Sequence, residues 1–190
     1  MTNREIGRKA KQNGKRFETL LDKYFSFFAE MGYCNIEKTP EPFKFIKPYS
    51  NNLFVGCFVK SAQPDYKGTL QGGRAIVLEA KSVENGKIQK SALTDNELKE
   101  LLRHQKLGAC SGVLVYDNEK ANIHLLPVVM FEKMEEIFGK KHIKLSQVKN
   151  YVINEQFFNA KESISKMFEN NLSIPDYVIL GTLTEKANKV

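Results

Sequence analysis

The chain has 190 residues, 42% apolar and 27% charged, which suits about one domain with a real core and excludes wholesale disorder. Its three cysteines, Cys34, Cys57 and Cys110, are odd in number and share no ligand spacing, so neither a disulfide framework nor a zinc site is expected. No apolar run approaches the roughly 20 residues of a membrane span, and the reading is a cytoplasmic protein with a net charge of +7.

That charge is concentrated at the start. Arg4, Arg8, Lys9, Lys11, Lys15 and Arg16 stand against Glu5 alone in the first sixteen residues. A flexible basic arm over residues 1–12 is expected, either a phosphate-backbone footprint or a solubilising tail. The first helix is then expected from about Asn13 to Gly32, with Phe17, Leu20, Leu21, Tyr24, Phe28 and Met31 on one apolar face. Glu18 falls on the border of that face, beside Phe25.

Residues 42–48 and 53–60 are rich in aromatic and β-branched types and are separated by the turn-forming "YSNN". They read as a hairpin. Pro40, Pro42 and Pro48, with Lys44 and Lys47 among the aromatics, suit an exposed ribbon better than a central strand. Such a ribbon is either a nucleic-acid contact or a charged edge that blocks aggregation.

Next, "QPDYKGTLQGGRAIVLEAKS" (63–82) places Asp65 before a Gly-rich connector and ends an apolar strand with Glu79 and Lys81. Two residues apart on a strand, Glu79 and Lys81 share a side, while Ile76, Leu78 and Ala80 take the other. Phosphodiester hydrolysis needs a divalent metal to neutralise developing charge and to supply hydroxide. Magnesium takes oxygen ligands, for which Asp65, Glu79, Glu18 and the Ala80 backbone carbonyl are candidates. The lysine would orient water or stabilise charge. The Glu-x-Lys triplet alone is uninformative: it also occurs at Glu97-Leu98-Lys99, as often as composition predicts. There the helical setting and the Thr94/Glu97 capping-box spacing favour a structural role.

That second triplet lies in "TDNELKELLRHQKLG", a helix expected to bury Leu98, Leu101 and Leu102 and to stop at Gly108. Gln105 on the same face should point at something polar. A second hairpin follows, near 112–117 and 121–127, then a helix in "VVMFEKMEEIF". A weaker helix and polar tail occupy 154–190. The order implies a mixed α/β domain over 13–153.

"NGKRFE", "PDYKG", "LEAKS" and "HQKLGACSGVLVY" occur in the order seen in RecU-type Holliday junction resolvases, within the PD-(D/E)XK nuclease superfamily, and the resemblance spans residues 13–153. It implies a restriction-endonuclease-like central mixed β-sheet flanked by helices, with the 42–60 hairpin as a protruding stalk. It also implies a magnesium-dependent homodimer that cuts four-way DNA junctions by paired symmetric nicks, with manganese a second activating ion. By position, Asp65, Glu79 and Glu18 become metal-site carboxylates, Lys81 the catalytic lysine and Gln105 a buried polar contact. Arg8, Lys9, Lys11, Lys15, Arg16, Lys44 and Lys47 are the expected DNA-binding residues. Two alternatives remain: another nuclease of the superfamily, of nicking or restriction type, or a non-catalytic DNA-binding protein in which Glu79 and Lys81 form an ordinary ion pair.

Overall fold

The structure is a computed structural model describing residues 2–40, 42–50, 53–58, 63–149 and 152–153. Helix α1 (Asn3–Glu30) begins ten residues before Asn13. The segment expected as a flexible arm is instead its first turns. Thr2 caps it through a capping box with Glu5, and Lys9 and Asn13 both bond the Glu84 carboxylate. Arg4, Arg8, Lys11 and Lys15 recur at helical spacing, so the positive charges form a stripe and not a loose cluster. The buried face is Phe17, Leu21, Phe25 and Phe28. Met31, expected to be buried, is the C-terminal cap and lies exposed where the chain leaves the helix.

Strands β1 (Cys34–Lys38), β4 (Tyr66–Leu70), β5 (Ala75–Val83), β7 (Cys110–Asp117), β8 (Asn122–Pro127) and β10 (Val152–Ile153) form one sheet in the order β1-β4-β5-β7-β8-β10. Among the described residues only β5 and β7 pair in parallel, so the sheet is mixed, as expected. The Gly-rich connector after Asp65 is mostly strand β4 rather than loop. Tyr66 and Leu70 bury themselves there, and Gly68 lets β1 approach: a Cβ on it would lie 2.0 Å from the Asn35 carbonyl oxygen. No reading of the sequence anticipated β1.

Strand alternation sorts β5 between two cores. Ile76 and Leu78 join Phe17, Leu21, Phe25 and Tyr66 beneath α1. Val77 faces the other layer, with Leu101, Val113, Leu126, Phe131 and Met134. That layer holds α2 (Asp95–Lys106), which carries the crossover from β5 to β7, and the short helices α3 (Val128–Glu132) and α4 (Met134–Phe138). The single helix expected there is broken at Lys133. A small two-stranded sheet, β6 (Lys87–Gln89) with β9 (His142–Lys144), closes the same side.

The expected hairpin is present as β2 (Phe43–Pro48) and β3 (Phe54–Phe58), an antiparallel pair with a register shift between Phe45 and Lys47. Every residue of β2 is exposed. No described helix is long and apolar enough to cross a membrane. The expected C-terminal helix and tail (154–190) lie outside the described residues.

Candidate active site at the end of the fifth strand

Strand β4 pairs with β5 only as far as Tyr66 opposite Leu78. Continued by the same register, Pro64 would stand opposite Ala80, but proline has no amide hydrogen to offer the Ala80 carbonyl. Asp65 takes over where the ladder stops: its Oδ2 accepts from the Ala80 amide at 2.9 Å. Its own carbonyl accepts from the Thr39 amide at 2.8 Å, which fixes the residue between β1 and β5. A proline followed by an aspartate thus ends a strand pair and leaves a carboxylate and an open carbonyl at the same spot.

Glu79 is only 2% exposed, and its Oε2 has no hydrogen-bond partner. Burial, then the adjacent Asp65, pushes its carboxyl up to about 9. A buried carboxylate without full compensation is expensive. Lys81 is the nearest cation, yet its Nζ stands 3.6 Å from Glu79 Oε2 and only 2.9 Å from Glu97 Oε1. Burial alone would lower the lysine, but its bond to Glu97 and the charges of Glu79 and Glu97 outweigh that and leave it raised. Lys81 is therefore held charged, with the Glu97 carboxylate as its close partner and Glu79 on its other side.

The family model for RecU, Recombination protein U, matches residues 12–170. The chain belongs to the RecU family. Among solved structures it is similar to Hjc, a Holliday junction resolvase from Archaeoglobus fulgidus described at 1.6 Å resolution. Identity is 15% and the TM-score 0.45, covering 77% of this chain and 95% of that one. No curated protein gives a significant match.

The structure brings Asp65, Glu79 and Lys81 together and adds Glu97, whose setting in the sequence signals only a helix cap. Thr94 and Glu97 do form a capping box. A carboxylate has two oxygens, however, and the second reaches Lys81. Gln105 is not part of this cluster. It lies eight residues beyond Glu97, roughly 12 Å along α2, where the chain turns back toward the start of β5 and Arg74 bonds the Gly108 carbonyl. Gln105 is half-buried and makes no side-chain hydrogen bond among the described residues.

Glu18 approaches from the α1 side of the sheet, where it bonds Lys38 at 2.6 Å. Tyr66 ties the two elements together, donating to the Glu18 carbonyl at 3.4 Å and to Asp22 Oδ1 at 3.2 Å. Among the described residues no group of three His, Cys, Asp or Glu side chains stands together as a metal cage. What the residues offer is a pair, Asp65 and Glu79, beside the Ala80 carbonyl. The orphaned buried oxygen of Glu79 fits a divalent cation, since a cation there would supply the partner it lacks. Of the expected DNA-binding residues, Arg8, Lys9, Lys11, Lys15 and Arg16 are exposed on α1, and Lys44 and Lys47 on β2.

Proposed function

We propose that this RecU-family chain is a magnesium-dependent endodeoxyribonuclease that resolves four-way DNA junctions as a homodimer. The observation that carries the reading is the buried Glu79 carboxyl, one oxygen of which has no hydrogen bond, packed against Asp65 and Lys81 at the end of β5. Asp65 and Glu79, with the Ala80 carbonyl, would hold the magnesium, and manganese should substitute for it. Once bound, the ion supplies charge neutralisation at the phosphate and an acidified water. Asp65 is pinned by the Ala80 amide, so its carboxylate keeps a fixed direction beside Glu79. Glu79 excludes bulk water by burial and must give up its proton to bind a cation. Lys81 keeps a positive charge where an attacking water or a scissile phosphate oxygen would sit.

The α1 stripe and the exposed β2–β3 ribbon supply the remaining contacts of this reading, the first tracking phosphates and the second entering the open junction centre. Two copies would present two sites to opposing strands. The test is cleavage of linear, nicked and four-way DNA with magnesium or with chelator. Paired nicks in the four-way substrate that require the metal and vanish in Glu79→Ala are expected. Equal cutting of all three substrates returns the protein to the general nuclease alternative, and binding without cutting makes it a DNA-binding protein.

A further inference from the structure

Lys38 ends β1 directly beside Asp65. It stands opposite Tyr66, one residue from Asp65, and the next amide, Thr39, is bonded to the Asp65 carbonyl. Its backbone therefore cannot leave the site. Its side chain can: Lys38 is 48% exposed and Glu18 39%, and the ammonium rests on Glu18 Oε2 at 2.6 Å. Asp22 and Asp65 lie close enough to act on it as well. One lysine thus gathers the negative charge on the α1 side of the site while Lys81 does so on the α2 side. The two differ in how firmly they are held. Lys81 is largely buried between Glu79 and Glu97, whereas Lys38 makes, among the described residues, a single ion pair open to water.

An exposed pair contributes little stability, so exchange of its partners is easy. A divalent cation held by Asp65 and Glu79 would repel the Lys38 ammonium, which Asp65 otherwise attracts, and would offer Glu18 a second positive charge in its place. We infer that Lys38 is an exchangeable counterion: it occupies Glu18 in the metal-free protein, yields that carboxylate when the cation loads, and then pairs with a DNA phosphate beside the site. This rests on the metal-site reading given above. Linkage makes the coupling reciprocal, so DNA that draws Lys38 away must also tighten cation binding.

The experiment measures Mn²⁺ binding to the full, DNA-free protein by the electron paramagnetic resonance of free Mn²⁺. Lys38→Met should bind Mn²⁺ roughly two- to fivefold more tightly than the parent, the scale of an exposed ion pair. Lys67→Met controls for loss of one nearby charge, since Lys67 bonds Gln63 and not Glu18, and should show no comparable gain. Adding Glu18→Gln to Lys38→Met should erase the gain. In the parent, Ca²⁺ should tighten binding of a four-way junction, and in Lys38→Met that tightening should shrink. Should the methionine variant fold poorly, Lys38→Gln carries the same expectation. Unchanged or weaker Mn²⁺ binding in a folded Lys38 variant, or an equal gain in Lys67→Met, overturns the exchange. Parent Mn²⁺ binding that survives Glu79→Ala overturns the metal-site reading itself, and the exchange with it. Binding lost in Glu79→Ala but indifferent to Lys38 overturns the exchange alone.

Discussion

Glu97 divides its two oxygens between the helix it begins and the lysine it faces: Oε2 accepts the Thr94 amide at 2.6 Å, and Oε1 accepts Lys81 Nζ at 2.9 Å. The capping box fixes the first turn of α2, and the carboxylate locked by that turn in turn fixes Lys81. Burial would raise the carboxyl, but Lys81 and Thr94 together leave it lowered, so it stays ionised opposite the lysine.

Glu97→Gln separates these roles. The amide oxygen can still accept from Thr94, while the charge that holds Lys81 is gone. Single-turnover cleavage should slow by about tenfold or more with junction affinity little changed. Thr94→Ala should do the reverse, costing about 1 kcal/mol of stability through the cap with a smaller effect on rate. If the two variants slow cleavage equally, Glu97 acts through the helix and not through Lys81.

The carboxylate pair makes a pH prediction for the metal-free protein. Unfolded, Glu79 titrates near its ordinary 4.5, and folded it is pushed up to about 9. Between those values the folded state holds a proton that the unfolded chain releases, so stability falls as pH rises. The loss at pH 7 is about 3 kcal/mol. Glu79→Gln should remove it, making the variant similar to the parent near pH 4.5 and more stable near pH 8. Urea unfolding in chelator, at several pH values, measures this directly. Parallel pH curves for the two proteins would mean that Glu79 is not the group holding the proton. In cleavage assays, Asp65→Ala and Glu79→Ala should each abolish activity while leaving DNA binding largely intact, since the basic stripe of α1 and the β2–β3 ribbon are untouched.

The strand-end motif was legible because its signal is local. An apolar alternation ending in Glu79 and Lys81, with Asp65 before it, reports both the strand and the side it faces. The hairpin and α2 were legible for the same reason, through turn residues and a capping box. What escaped needed the tertiary arrangement. Strand β1 is five residues with only Ile36 buried, too short a pattern to stand out. The capping box accounts for one oxygen of Glu97, and nothing local in the sequence signals that the other meets Lys81. For Gln105, helical phase sets the face of α2 but not the distance to the end of β5. Residues 3–12 carry little apolar signal, so charge suggested an arm where the Thr2 cap and the Glu84 contacts accompany a helix.

That helix sharpens the expectation for DNA. Arg4, Arg8, Lys11 and Lys15 lie on one stripe, whereas Lys9 is directed to Glu84. Replacing the four stripe residues with alanine should weaken binding to every DNA shape and flatten the salt dependence by about 0.9 for each phosphate no longer neutralised. Lys9→Ala should change the slope much less. Deleting residues 1–12 should reproduce the stripe variant only in part, because Lys15 remains. An unchanged salt slope in the four-residue variant returns the segment to a solubilising role.

The ribbon decides between junction resolution and general cleavage. A four-way junction offers an open centre that a linear duplex lacks, and a reader of that feature needs a rigid, exposed projection. Strands β2 and β3 have the required stiffness. Phe54 meets Phe43 edge-on with ring centroids 5.4 Å apart and Phe45 at 5.9 Å. Gly56 makes room for this packing, since a Cβ there would fall 2.0 Å from the Phe43 ring and 2.7 Å from the Lys44 carbonyl oxygen. Tyr49 and Leu53 lie exposed near the turn, joined by a bond from the Tyr49 amide to the Leu53 carbonyl at 2.9 Å. Replacing residues 44–56 with a short Gly-Ser turn should remove junction preference yet retain metal-dependent cutting from Asp65, Glu79 and Lys81. Gly56→Val should loosen the ribbon and give an intermediate result. The quantity to compare is the ratio of four-way to linear affinity at one salt concentration, because phosphate contacts alone shift both affinities together. A high parental ratio that survives the deletion reduces the ribbon to a protected edge. A parental ratio near one leaves the metal site standing and moves the protein to the general nucleases.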